Sequence, residues 1–229
     1  LSNLIDSLSD ISNLKRIRYT TSHPIDFTDD LIEIYSKTKK IMPLIHLPVQ
    51  SGSNKILKNM NRKHTVEEYL LLIEKLKRVN PNVKFSSDFI IGYPGENEKD
   101  FEDTYDLIDK INFINSYSFI FSSRPGTVAS KFNTIDKKIS TKRLEKVQEK
   151  LFDNQIKMNK SLENQIIDVL VENQTKDKIK LFARSEYMTS VVFHGNEENI
   201  GKIVKIRIIK GYKNSLFGEI VENSNQKVA

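Results

Sequence analysis

The sequence predicts an α/β domain built on a parallel sheet, followed by a small antiparallel β-barrel. Three observations carry this. Four stretches share one design, an apolar or β-branched run ending in Ser, Thr, Gly and Pro: Ile17–Pro24 (IRYTTSHP), Leu44–Ser53 (LIHLPVQSGS), Val83–Glu96 (VKFSSDFIIGYPGE) and Tyr117–Thr127 (YSFIFSSRPGT). Buried strands that open into loops along one rim look like this, and such rims are where α/β enzymes bind ligands. Amphipathic segments between the runs are long enough for parallel crossovers. Beyond Leu162 the texture changes to five short β-type runs separated by turn residues.

Taken in order, Leu1–Leu14 opens as a helix with Leu4, Ile5, Leu8 and Ile11 on one face. Arg16–Thr20 reads as the first strand, with Ser22, His23 and Pro24 as its exit loop. Asp26 or Thr28 caps a helix whose stripe is Leu31, Ile32, Ile34 and Tyr35. Lys37–Lys40 close it with the charge that suits a helix C-terminus. Pro43–Leu47 is the second strand, and Ser53–Met60 a short helix. Thr65 and Glu68 form a capping box before Tyr69, Leu72, Ile73 and Leu76, and Asn80–Pro81 stops that helix. Val83–Ile91 is the third strand, Asn97 caps a helix through Asn112, and Tyr117–Phe121 is the fourth strand. A charged helix runs from Ser140 to about Leu162. The tail strands are Ile166–Val171, Lys180–Arg184, Thr189–Phe193, Ile203–Ile209 and Leu216–Val221, a pattern that suits a small barrel. The predicted domains are residues 1–158 and 159–229.

Composition narrows the function. The 229 residues are 38% hydrophobic and 29% charged, and no run reaches the roughly 18 apolar residues that would span a bilayer. No signal peptide is visible, so a cytoplasmic protein without a membrane partner is expected, and a monomer. The net charge of +6 permits a nucleic-acid partner without demanding one. Zero cysteines exclude thiol catalysis and thiolate-held metal within these residues, so no metal ligand is assigned. A first strand preceded by a helix predicts a sheet that lacks its earlier units, and hence a fragment of a longer protein.

Gln50 and Ser51 sit where the second strand opens; their polar groups suit a ribose or carboxylate, or serve the loop itself. Ser86, Ser87 and Asp88 interrupt an apolar strand, where unpaired polar groups are costly; Ser87 and Asp88 lie near its middle, so one of them points inward. Gly92 allows close backbone approach. Arg124 offers a two-pronged fork for carboxylate or phosphate, or a surface ion pair. His23 is a base, a donor or simply structural, and Arg62, Lys63 and His64 form a basic loop. In the tail, Arg184, Lys202, Lys205, Arg207, Lys210 and Lys213 interleave with Phe182, Tyr187, Phe193, Tyr212 and Phe217, which fits RNA binding by stacking and phosphate contact, or a barrel core. From Asn159 onward, 11 Lys and Arg stand against 9 Asp and Glu, a balance of only +2.

The segments TTSHP, HLPVQSGS, MNRKHT, SSDFIIGYPGE and SFIFSSRPGT, taken together, resemble the radical-SAM methylthiotransferases, most closely the MiaB type. The tail, with its run IGKIVKIRIIKGYKNSLFGEIV, is similar to the TRAM domain of that family, an RNA-binding β-barrel. The resemblance implies the C-terminal part of a partial radical-SAM (β/α) barrel plus TRAM. It implies a tRNA methylthiotransferase acting on C2 of N6-isopentenyladenosine at position 37 of tRNA, with S-adenosylmethionine (SAM) and two [4Fe-4S] clusters as cofactors. The cluster ligands of the family fall outside this chain. Matched positions for the cofactor and substrate cavity are Ser22, Gln50, Ser51, Ser87, Asp88, Gly92 and Arg124, and for RNA Arg184, Lys202, Lys205, Arg207 and Lys213. The alternatives are a methylthiotransferase for threonylcarbamoyl-adenosine and a non-catalytic RNA-binding remnant.

Overall fold

The computed structural model describes residues 1–20 and 23–221. They form two compact units, Leu1–Phe152 and Asp153–Ala229.

In the first unit, α1 (Ser2–Ser9) buries Ile5 and ends earlier than its apolar stripe predicts; Ile11 stays half exposed. A short 3-10 turn, Pro24–Asp26, precedes α2 (Asp29–Lys37), which buries Leu31, Ile32, Ile34 and Tyr35. β1 (Leu44–His46) leads through the QSGS loop to α3 (Asn54–Asn59). α4 (Val66–Val79) starts with the Thr65–Glu68 capping box, both halves of which are made. β2 (Lys84–Ser86) and β3 (Asp88–Ile91) follow. α5 (Glu98–Ile111) has its own box between Asn97 and Asp100 and stops at Asn112 in the left-handed conformation. β4 (Tyr117–Ile120) comes next, and α6 (Lys137–Ser161) supplies its first turns to this unit and its last to the second.

The strands are parallel: β1 pairs with β2, and β3 with β4. The expected first strand shrinks to a single parallel bridge, Ile17 with Ile41. The expected third strand breaks at Ser87. There the ladder changes partners: the Ser87 amide donates to Ser116 Oγ (2.9 Å), and its carbonyl accepts from Tyr117 N (3.0 Å). One sheet face carries Ile45, Leu47, Phe85, Phe89 and Ile91 into a core shared with Tyr69, Leu76, Phe101, Ile108 and Phe113.

The second unit is a closed five-stranded barrel in the order β5-β6-β7-β9-β8. Its strands are β5 (Ile166–Gln174), β6 (Leu181–Ser185), β7 (Ser190–His194), β8 (Ile203–Gly211) and β9 (Ser215–Ile220), one for each expected run. Val169, Val171, Leu181, Ala183, Val191, Phe193, Ile206, Ile208 and Leu216 fill it. The expectation of a wholly antiparallel barrel needs one correction: β7 and β9 run parallel. A ring with an odd number of strands cannot alternate direction at every joint, so five strands force one parallel pair.

Candidate functional site

Alternation along β1 to β4 sends every second residue away from the helix-packed core. Parallel register sets His46 beside Ser86, Asp88 beside Tyr117 and Ile90 beside Phe119, so all six share this second face. His46 Nδ1 lies 2.8 Å from Ser86 Oγ, and His46 Nε2 lies 3.5 Å from Asp88 Oδ2. Arg62 is half-buried; burial lowers its pKa, and the Asp88 carboxylate opposes that shift. Tyr117 and Phe119 are 62% and 56% exposed. The face therefore joins a hydrogen-bonded histidine, an accessible carboxylate and two open aromatic rings. Such a surface can stack a planar ring and accept hydrogen bonds from its edge.

Of the residues singled out from sequence, Ser86 and Asp88 belong to this cluster. Gln50 touches it through the backbone. In the left-handed region (φ 75°), Gln50 donates from its amide to Asp88 O and accepts from Ile90 N, both at 3.0 Å. Ser87 points the other way: it is fully buried, and its hydroxyl accepts from Val49 N (2.9 Å). Ser51 is buried, its Oγ 3.2 Å from Thr104 Oγ1. Gly52 explains why that loop sits so close to α5. Its amide donates to Thr104 Oγ1 (2.8 Å), and a Cβ there would lie 2.4 Å from Asp103 O. Ser53 and Lys55 complete the clasp by binding Asp100 at 2.7 and 2.6 Å.

Gly92 (φ 72°) donates its amide to both carboxylate oxygens of Glu96, at 3.1 and 3.2 Å. Burial pushes the Glu96 carboxyl above its ordinary pKa, while the Gly92 amide and Arg143 pull it back. Arg143 Nη1 meets Glu96 Oε1 at 2.8 Å, and Nη2 meets Glu98 Oε2 at 2.7 Å. Arg124 lies exposed in the loop after β4, where its carbonyl accepts from Thr127 Oγ1 (2.8 Å). Ser22 lies outside the described residues.

The basic loop divides. Arg62 approaches Asp88, whereas His64 is buried with neither ring nitrogen at hydrogen-bonding geometry. Burial lowers its pKa to about 4, and the His23 and Arg62 charges add to this; the Val49 backbone and Glu68 pull weakly the other way. His23 packs its ring edge-on at 5.1 Å from His64 and accepts from Ile25 N (3.2 Å).

In the barrel, Arg184 donates to Met188 O (3.1 Å) and Ser190 Oγ (2.9 Å) and lies 3.6 Å from Glu172. Lys205 pairs with Asp168 at 3.0 Å, and Arg207 stands opposite Glu219 in register. Lys202 and Lys213 are exposed in the turns before and after β8.

His46, Tyr117 and Phe119 escaped the sequence reading, while Ser86 was singled out with Ser87 and Asp88. The available signal was phase: counting by twos from Asp88 reaches Ser86, and a histidine inside the apolar run LIHLP is a departure of the same kind. Among the described residues no group of three or more His, Cys, Asp or Glu could hold a metal ion. A [4Fe-4S] cluster needs thiolates, and with no cysteine in the chain none of these residues fits one.

Residues 2–108 match the model of the Radical SAM superfamily, and residues 160–221 match that of the TRAM domain. The tRNA-2-methylthio-N(6)-dimethylallyladenosine synthase of Pelagibacter ubique is 65% identical over 229 residues, which is 100% of this chain and 51% of that protein. The enzyme of the same name from Ruthia magnifica is 47% identical over 95% of this chain and 49% of its own. That from Rickettsia canadensis is 46% identical over 96% and 50%. The chain spans about half the length of the curated relatives it matches.

Proposed function

We propose that the protein carrying this chain is a tRNA methylthiotransferase, because residues 2–108 match the model of the Radical SAM superfamily and residues 160–221 that of the TRAM domain. Its product would be the methylthio group at C2 of N6-isopentenyladenosine, position 37 of the anticodon loop. The observation that carries this is the 65% identity to the Pelagibacter ubique synthase across the whole chain, sheet and barrel together. Residues 1–158 are read as the C-terminal part of the radical-SAM barrel and 159–229 as the tRNA-binding module, in a monomeric cytoplasmic enzyme.

SAM, when bound, supplies the methyl group. Asp88 presents an acceptor to its ammonium or ribose hydroxyls, and His46 holds that carboxylate in place. Gln50 fixes the backbone beside it. Ser51, Ser87 and Gly92 shape the rim by anchoring its loops, and Arg124, exposed after β4, would meet a carboxylate or phosphate. The ligands of the two [4Fe-4S] clusters are assigned to parts of the protein outside this chain.

The test is to reconstitute the full-length protein anaerobically and give it SAM and isopentenylated tRNA. Mass spectrometry of the nucleosides should show the methylthio product. Modification of threonylcarbamoyl-adenosine instead, or none at all, overturns the assignment. Asp88→Asn should weaken equilibrium SAM binding roughly ten-fold, as expected for a charge-assisted hydrogen bond. The 229-residue chain, reconstituted alone, should retain no iron; stoichiometric iron would contradict the placement of the cluster ligands.

A further inference from the structure

The barrel has two unlike outer faces. Register places Phe182, Val192 and Phe217 side by side across β6, β7 and β9. Their chain neighbours Leu181, Ala183, Val191, Phe193 and Leu216 are buried in the core, so this row points outward, and all three of its members are partly exposed. Lys210 extends the row on β8, opposite Phe217. Cations lie over the rings: Arg184 at 4.8 Å from the Phe182 centroid and Lys180 at 5.3 Å from that of Phe217. Lys210 lies 5.7 Å from the Tyr212 ring, and Tyr212 is 49% exposed. Elsewhere on the outer surface, Lys205 on β8 is bound to Asp168 on β5, and Arg207 on β8 stands in register with Glu219 on β9.

We propose that the outward face of β6, β7 and β9 is where the barrel takes single-stranded RNA. Bases would stack on Phe182 and Phe217, and phosphates would lie at Lys180 and Lys210. The Lys205–Arg207 face would contribute little. The proposal rests on the TRAM reading and assigns its surface. Aromatic rings with cations beside them match a polyanion whose bases have open π-faces. Lys205, already bound to Asp168, would have to give up that partner first. Arg184, tied to Ser190 and Met188 and near Glu172, serves to hold the Phe182 ring rather than to meet phosphate.

The test uses the 229-residue chain and fluorescence anisotropy. The probe is a labelled mixed-sequence single-stranded RNA, with a duplex of equal length for comparison. The chain should prefer the single strand. Phe182→Leu with Phe217→Leu keeps apolar bulk but removes the rings, and should weaken single-strand binding roughly ten-fold or more. Lys205→Ala with Arg207→Ala should stay within about two-fold, well below that loss. Lys180→Glu with Lys210→Glu leaves the rings in place. It should lower the salt dependence, by about 0.7 in log–log slope for each phosphate that is no longer neutralised. That pair keeps the test decisive if the leucine variant melts early. If the parent chain binds no RNA, the RNA reading itself fails. If it binds, and either the folded leucine variant keeps its affinity or the Lys205 and Arg207 pair causes the larger loss, only the placement fails.

Discussion

In the barrel, strands of five to nine residues close on one another; in the first unit, strands of three or four residues end at β4, which has no further strand partner among the described residues. The barrel satisfies its ladders internally and buries alternate side chains. The open sheet packs one face under helices and leaves the other with an aspartate, a histidine and two solvent-facing aromatics. An open sheet leaves unpaired edges and a partly polar face, and side-chain clamps order its loops.

The largest test of those clamps is Arg143→Met. It strands the Glu96 carboxylate, whose side chain is 1% exposed. Breaking one side of a buried pair costs about 3–5 kcal/mol. Hydrogen exchange should show weakened protection across β3 and α5, with the barrel amides unchanged, since the two hydrophobic cores share no residue. Equal weakening in both units would break the contrast.

His64 gives the next effect. Its folded pKa of about 4 lies below its ordinary 6.5, so the unfolded chain binds a proton first as pH falls. Stability is full above about pH 6.5 and declines toward pH 4, by on the order of 2–3 kcal/mol. Denaturant melts of His64→Phe should lose that slope; an unchanged slope would move its origin elsewhere.

A matched glycine pair sharpens the comparison. A Cβ at Gly52 meets Asp103 O at 2.4 Å, and one at Gly211 meets Asn159 O at 2.4 Å. Each Gly→Ala should cost about 1–3 kcal/mol, in its own unit only, by hydrogen exchange. Smallest is Asp168→Ala, which frees the exposed Lys205 and should change barrel stability by under about 1 kcal/mol in a thermal melt.

Locally encoded features were legible. The Thr65–Glu68 box, the Asn97 cap and the five barrel runs each declare themselves within a few residues. What depends on register across more than 20 residues was not. No local pattern shows that Arg16–Thr20 keeps only the Ile17 bridge, that the ladder changes partners at Ser87, or that Tyr117 lands beside Asp88. Asp88 was found because a charge in an apolar strand is conspicuous. His46 was passed over because a lone histidine is not, and its meaning comes from Ser86 and Asp88, forty residues away.

The parallel joint between β7 and β9 also bears on how the barrel is made. β5, β6 and β7 are joined in sequence, but β9 must reach past β8 to lie between it and β7. Until Ser215–Ile220 leaves the ribosome, β7 and β8 each hold one unpaired edge, and the outward Phe182–Val192 row stands beside one of them. The last strand synthesised seals both edges at once. A nascent chain stalled before Ser215 would therefore be a substrate for chaperones, and its ring would close in one late step.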